Sequence, residues 1–211
     1  MMRFKNANSA FCFFYDQIQS YGVTVENTKA LVNVGFYLDS PVENQITAPF
    51  RNWKPDYAER EWQWYLSGNP SAEEISKRAA MWRKHMDANG EVNSNYGFQW
   101  MRNNQLDYVI KELKRNPFSR RALITIYDGK ENLLYEKDTP CTLNVGFTVY
   151  ESKLNMSVIM RSNDLWFGFC NDQYCFSKLQ ALVADRLSLS LGSYFHFAGN
   201  LHLYQEHFDK Q

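Results

Sequence analysis

The chain has 211 residues, 45% hydrophobic and 16% aromatic, enough for one substantial buried core and too apolar for a disordered segment. Its 23 basic and 23 acidic residues cancel, which excludes the clustered basic surface that polymeric nucleic acid requires. No run of about 18 apolar residues could span a membrane, and the four cysteines show neither paired CxxC spacing nor a following histidine at zinc distance. The reading is a reducing, cytoplasmic setting with no metal, no membrane and no nucleic-acid polymer as partner.

In chain order, Met1 to Asn6 precedes no signal-peptide core, because the apolar run at 11–15 is short and Asp16 ends it. Turn residues cluster at 40–41, 49–55 and 68–70, where loops are expected. Residues 57–66 read as a helix with Trp62, Tyr65 and Leu66 on one side. Ser71 and Glu74 have the spacing of a capping box, opening a second helix that runs to about His85. Asn89-Gly90 makes a turn. Leu106, Val109, Ile110 and Leu113 recur at helical spacing until Pro117. The second half alternates. Residues 122–127 read as a strand, and two further strands centred on Phe147 and Val158 meet in a hairpin at 151–153. A helical stripe of Phe176, Leu179, Val183 and Leu187 closes near Gly192, and a last strand covers 195–204. Helices flanking a mostly antiparallel sheet define an α+β class.

Several residues can carry chemistry. Cys141 follows Pro140 and precedes a strand. A lone cysteine is usually a packing residue, but nearby arginines would favour the nucleophilic thiolate. Arg120 and Arg121 could be a solvated surface pair, yet arginine's planar fork suits phosphate. With Arg161 and Ser162 they would set three cations and a hydroxyl around one dianion. Glu61, among Trp62, Trp64 and Tyr65, is either the wet side of an amphipathic helix or a carboxyl with raised pKa fit for proton transfer. His202 and Tyr204 alternate on a strand and so share a face, as two wet polar groups or as donors to a sugar hydroxyl. Trp82, Trp100 and Tyr96 are either core or a stacking wall for a flat ring. Asp164 and Asp172 can hydrogen-bond polar ligand edges. His85, His196 and His207 read as structural.

Taken in order, these motifs resemble the thymidylate synthase superfamily over roughly 57–208. Arg161-Ser162-x-Asp164 through Gly199-x-x-His202-x-Tyr204, Ser119-Arg120-Arg121, Pro140-Cys141, the 89–97 loop and Glu61 are all similar to its motifs. The resemblance implies a mixed, mostly antiparallel sheet flanked by helices, one domain over 1–211 without the family's long C-terminal segment, and sheets packed together in a homodimer. Arg120 and Arg121 would then reach the partner's nucleotide phosphate. Cys141 would add to carbon 6 of a pyrimidine deoxynucleotide monophosphate, with Glu61 and Tyr96 moving protons. Carbon 5 would take a one-carbon unit from 5,10-methylenetetrahydrofolate, held by Asp164 and Trp82, while His202 and Tyr204 bind the sugar.

Asp172 stands where synthases carry asparagine, and in this it is similar to the deoxycytidylate hydroxymethylases known from bacteriophages. An amide suits uracil's edge, whereas a carboxyl accepts from cytosine's amino group and, with a shared proton, satisfies ring N3. The expected reaction is hydroxymethylation of dCMP. Thymidylate synthesis, a dUMP or CMP hydroxymethylase, and a non-catalytic nucleotide-binding relative are the alternatives. Thr142 and Asn200 depart from the family's His and Asp, and Arg51 is the one candidate for its N-terminal phosphate arginine.

Overall fold

The computed structural model describes residues 1–135 and 137–210. The strands are β1 (Met2–Phe4), β2 (Val23–Val25), β3 (Thr28–Leu38), β4 (Leu123–Thr125), β5 (Thr142–Tyr150), β6 (Lys153–Met160), β7 (Asn163–Asp164) and β8 (Ser190–Tyr204). They form one mixed sheet in the order β1-β3-β8-β6-β5-β4, with β2 on β3 and β7 on β8. Pairing is antiparallel for β3–β8, β4–β5 and β5–β6 and parallel for β1–β3, β6–β8 and β7–β8. The helices are α1 (Ala7–Tyr21), α2 (Pro55–Ser67), α3 (Glu73–Ser76), α4 (Trp82–His85), α5 (Tyr96–Met101), α6 (Gln105–Arg115) and α7 (Cys170–Leu187). None is long and apolar enough to cross a membrane among the described residues. The α+β class expected from the sequence is the one observed.

Strand alternation decides where the core sits. Val34, Phe36, Met156, Val158, Tyr194 and Ala198 face inward and are buried, and α1 and α7 pack over them. The alternate positions Tyr37, Ile159, Phe195 and Phe197 are only half-buried, leaving an apolar second face. α2 packs on α7, so Glu61 and Tyr65 of one helix and Asp172 of the other belong to the same region. Gly97 permits a backbone-to-backbone approach of α5 to α2: a Cβ there would lie 1.7 Å from the carbonyl oxygen of Tyr65.

The predicted helices at 57–66 and 106–113 and the hairpin are present. Pro55 starts α2, Gly68 ends it with φ 62°, and Glu151 and Ser152 form the two-residue hairpin turn at positive φ. Three boundaries differ. Ser71 does not cap a helix running to His85; it bridges to Glu91, α3 stops at Ser76, and the chain turns before α4. α7 begins at Cys170 and ends at Leu187 with Ser188 left-handed, not near Gly192, which lies inside β8 where the side chain of Asn155 occupies the space a Cβ would need. The first forty residues, for which no element was predicted, form α1 and the long β3. α1 is opened by Asn6, whose side chain accepts from the backbone N–H of Ser9 at 3.0 Å.

Candidate active site

A cavity of about 1320 Å³ opens between α2, α4, the 162–172 segment and the end of β8. It collects Cys141, Glu61, Tyr96, Ser162, Asp164, Asp172, Trp82, His202 and Tyr204 from six elements and two connecting segments. Its volume exceeds the roughly 300–1,000 Å³ common for one small ligand, so two ligands can lie side by side. Trp100, expected as either core or wall, is core, packed on Trp62, Tyr65 and Phe176.

β7 organises one side. Its parallel pairing sets Asp164 beside His202. The Asp164 carboxylate caps the following π-helical turn, Leu165–Phe169, accepting from the backbone N–H groups of Trp166 and Phe167 at 3.0 Å each. Such turns concentrate at functional sites. The turn feeds α7, whose first turn carries Asp172. That carboxyl accepts from Asn163 Nδ2 at 2.8 Å, yet burial, reinforced by Glu61, holds it well above the usual carboxylate range. Desolvation thus favours its neutral, donating form over the carboxylate.

Glu61 is buried. Burial pushes its carboxyl up to about 7, against the hydroxyl of Tyr65, which donates to Oε1 at 2.9 Å. Oε2 makes no close hydrogen bond among the described residues, with the Tyr57 hydroxyl the nearest group able to supply one. This atom is a buried acceptor in a cavity wall, as proton transfer requires. Tyr96 stacks on Phe176, and burial, with Asp172 and Cys141 nearby, keeps its phenol protonated. Trp82 donates from Nε1 to the Tyr57 hydroxyl at 2.9 Å and stands edge-on to Trp64. His202 Nδ1 lies 3.0 Å from Asn200 Oδ1, and its ring meets Tyr204 edge-to-face.

Of Arg51, Arg120, Arg121 and Arg161, Arg51 alone lines the cavity. Arg161, expected to hold phosphate and to favour the Cys141 thiolate, lies against the cysteine loop, and its charge lowers the pKa of that thiol. It donates to the carbonyls of Thr139 and Pro140 at 2.9 and 3.1 Å, its backbone N–H donates to Cys141 O at 2.8 Å, and Nη2 lies 3.8 Å from Cys141 Sγ. It builds the cysteine loop. Burial outweighs its charge and pushes the Cys141 thiol up to about 11, so the thiol keeps its proton at neutral pH. Arg120 and Arg121 are exposed and absent from the cavity lining, so one chain does not gather three cations around one dianion. Arg51 is mostly buried, donates to Trp166 O at 2.7 Å and lies over the Trp166 and Phe167 rings.

Sequence reasoning missed residues that stand behind the site. Asp138 accepts from the Ser94 backbone and hydroxyl at 2.6 and 2.7 Å, tying the 93–96 loop to the Cys141 segment. His196, read as merely structural, lies 3.1 Å from Asn163 Oδ1 and 2.9 Å from the Tyr194 hydroxyl. Its place on the inward period-2 face was the available signal, since a buried histidine needs partners. Among the described residues no group of three or more His, Cys, Asp and Glu could hold a metal.

The sequence profile of thymidylate synthase matches residues 45–211. The chain belongs to the thymidylate synthase family. It is 32% identical over 197 residues to the deoxycytidylate 5-hydroxymethyltransferase of Enterobacteria phage T4, covering 86% of this chain and 77% of that one. It is 28% identical over 195 residues to the thymidylate synthase of Bacillus mojavensis, covering 88% and 70%. The thermostable thymidylate synthase A from Bacillus subtilis has the same fold, with a TM-score of 0.77 at 21% identity over 96% of this chain and 81% of that one. Family membership supports one-carbon transfer from a folate to a pyrimidine nucleotide as the reaction class.

Proposed function

We propose that the chain is a dCMP 5-hydroxymethyltransferase. The observation that carries this reading is Asp172: a half-buried carboxyl, held well above the usual carboxylate range by its desolvated surroundings, in the wall of the cavity that holds Cys141. A carboxylic acid donates from one oxygen and accepts at the other, matching cytosine's ring N3 and amino group. The hydroxymethyltransferase relative supports the same choice.

In this reading Cys141 Sγ bonds carbon 6 as the thiol passes its proton to the acid–base groups of the cavity, and carbon 5 becomes nucleophilic; after the one-carbon unit is attached, loss of the carbon-5 proton expels Sγ and restores the ring and the thiol. Methylenetetrahydrofolate supplies a carbon at the oxidation level of formaldehyde, completed to hydroxymethyl by water. The wide cavity and the flat, partly exposed ring of Phe167 beside Asp164 fit its ring system, with Trp82 on the far wall. Glu61, through Oε2, and Tyr96, a protonated phenol, exchange protons with the pyrimidine. His202 and Tyr204 take the sugar. Arg120 and Arg121, exposed in the single chain, reach the phosphate of a second copy. Two copies meet through the half-buried apolar face of Tyr37, Ile159, Phe195 and Phe197.

The test is incubation with methylenetetrahydrofolate and either dCMP or dUMP, reading products by mass. Hydroxymethyl-dCMP is expected; exclusive conversion of dUMP to dTMP overturns the assignment. Asp172→Asn should move the dCMP-to-dUMP ratio of kcat/KM toward dUMP by roughly 10- to 100-fold, the scale of a rearranged hydrogen-bond pair. An unmoved ratio removes Asp172 from base recognition.

A further inference from the structure

We propose that Tyr194, His196 and Asn163 form a one-way hydrogen-bond chain that confines the proton of Asp172 to its cavity-facing oxygen, and that this confinement, not the carboxyl alone, selects the base. The inference rests on reading Asp172 as the base contact.

The chain lies under α7. Tyr194 and His196 are two residues apart on β8, so both point to the inner face; both are fully buried, and Asn163 nearly so. Tyr194 Oη is 2.9 Å from His196 Nδ1, His196 Nε2 is 3.1 Å from Asn163 Oδ1, and Asn163 Nδ2 is 2.8 Å from Asp172 Oδ2.

Its direction follows from counting donors. Burial pushes the His196 imidazole down to about 3, so the ring is neutral, with one N–H and one lone pair. If Tyr194 donates to Nδ1, Nε2–H donates to Asn163 Oδ1 and Asn163 Nδ2–H donates to Asp172. Every hydrogen then has an acceptor. In the reverse direction Nδ1–H would donate to the phenol, whose own hydrogen would be buried with no acceptor, because His196 is the hydroxyl's one hydrogen-bond partner among the described residues. A buried unsatisfied donor is the costlier defect. The forward direction wins, and the Asp172 oxygen facing Asn163 must be the acceptor. The proton sits on the other oxygen.

That placement matters because cytosine and uracil present opposite donor–acceptor patterns at N3 and at position 4. An unconstrained carboxylic acid would fit either by moving its proton from one oxygen to the other. With the pyrimidine held in a single pose by Cys141 and its phosphate, a proton confined to the outer oxygen meets the lone pair of cytosine N3 but collides with uracil N3–H. Gly168 belongs to the same arrangement. A Cβ there would lie 3.0 Å from Asn163 Nδ2 and 3.3 Å from Asp172 Oδ2, crowding the last bond of the chain.

The experiment compares kcat/KM for exchange of the carbon-5 proton of dCMP and dUMP in the full-length protein. His196→Leu removes the donor to Asn163 and should shrink discrimination by about tenfold, chiefly by raising the rate for the disfavoured base. His196→Gln puts an amide nitrogen near the Nε2 position and should keep discrimination within about threefold of the parent. Tyr194→Phe, which deletes one oxygen, should give an intermediate loss. Rates for both nucleotides falling in parallel in His196→Leu, or an unmoved ratio, overturn the inference. If His196→Leu does not fold, Tyr194→Phe decides, and an unchanged ratio there also overturns it. A parent enzyme that prefers dUMP defeats the dCMP assignment and the confinement together, whereas a parent that prefers dCMP with an unmoved His196→Leu ratio defeats the confinement alone.

Discussion

The Asp172 end of the cavity and the Arg120–Arg121 turn, the two places proposed to meet the polar ends of a nucleotide, are finished to different degrees. Behind Asp172 stand three buried side chains, each paired and pointing the same way. The arginine turn is held only from below. The buried carboxylate of Glu112 accepts from the Ser119 hydroxyl at 2.6 Å and from Arg115 Nη2 at 2.8 Å, and Ser119 Oγ accepts from the Arg121 backbone at 3.2 Å. The guanidinium groups above are left in solvent. One end is preorganised within a single chain, and in the proposed dimer the other acquires its ligand-facing surroundings only by association. Desolvation sharpens recognition of the base, whereas exposed cations gain most of their strength when a second surface excludes water from them.

The largest effect should come from the residue between the two ends. Cys141→Ser should reduce carbon-5 proton exchange by at least ~10³-fold while leaving nucleotide affinity, measured by calorimetry, within about threefold, since neither end loses a contact. A comparable loss of affinity would show that the ends are not independent of the nucleophile. Next, Arg121→Ala should raise KM for dCMP and dUMP alike by roughly 10- to 100-fold, the worth of a charge-assisted hydrogen bond, without altering their ratio. Mixing this variant with Cys141→Ser should restore part of the activity, because a mixed dimer holds one intact site; no recovery would place the arginines in their own chain's site.

Glu61 tests the buried end through pH. Its folded pKa of about 7 lies above the usual glutamate value, so the folded state retains a proton that the unfolded chain releases. The stability associated with that proton is fully present below about pH 4.5 and is lost as pH rises through 7, up to roughly 3 kcal/mol. Glu61→Gln should therefore flatten this slope and raise Tm at pH 8 more than at pH 5, while abolishing the titration near pH 7 in proton exchange. Equal Tm changes at both pH values would contradict the buried protonated carboxyl. The smallest effect is expected from Gly168→Ala, which presses on Asn163 and Asp172 and should cost about threefold in base discrimination with no change in phosphate-dependent KM.

What the sequence revealed depends on how local each signal was. α2, α6 and the 151–152 hairpin announce themselves through periodicity, proline and turn residues. Cys141, Glu61, Asp172 and the His202–Tyr204 pair were legible because their types and spacing are specific, and the fold brings them into one cavity. Arg161 was legible as functional, but its hold on the cysteine loop was not, since the carbonyls it serves lie 21 and 22 residues away. The partnership of His196 with Asn163 spans 33 residues and depends on β7 lying beside β8, a pairing only two residues long. No local pattern encodes it. α1 escaped notice because its capping residue and its buried stripe each look unremarkable alone.

The π-helical turn at Leu165–Phe169 has a consequence for how base preference can change. A π-turn accommodates one residue more than an α-helical turn, and each α-helical residue turns the chain by about 100°. Asp172 therefore faces Asn163 by virtue of helical phase, set upstream by that extra residue. Losing a single amino acid from the turn would swing the carboxyl toward the protein interior or the solvent and silence the site for either pyrimidine. Exchanging the side chain at 172 leaves the phase untouched. Substitution is thus the open route to a new base, and length variation in this segment is a closed one.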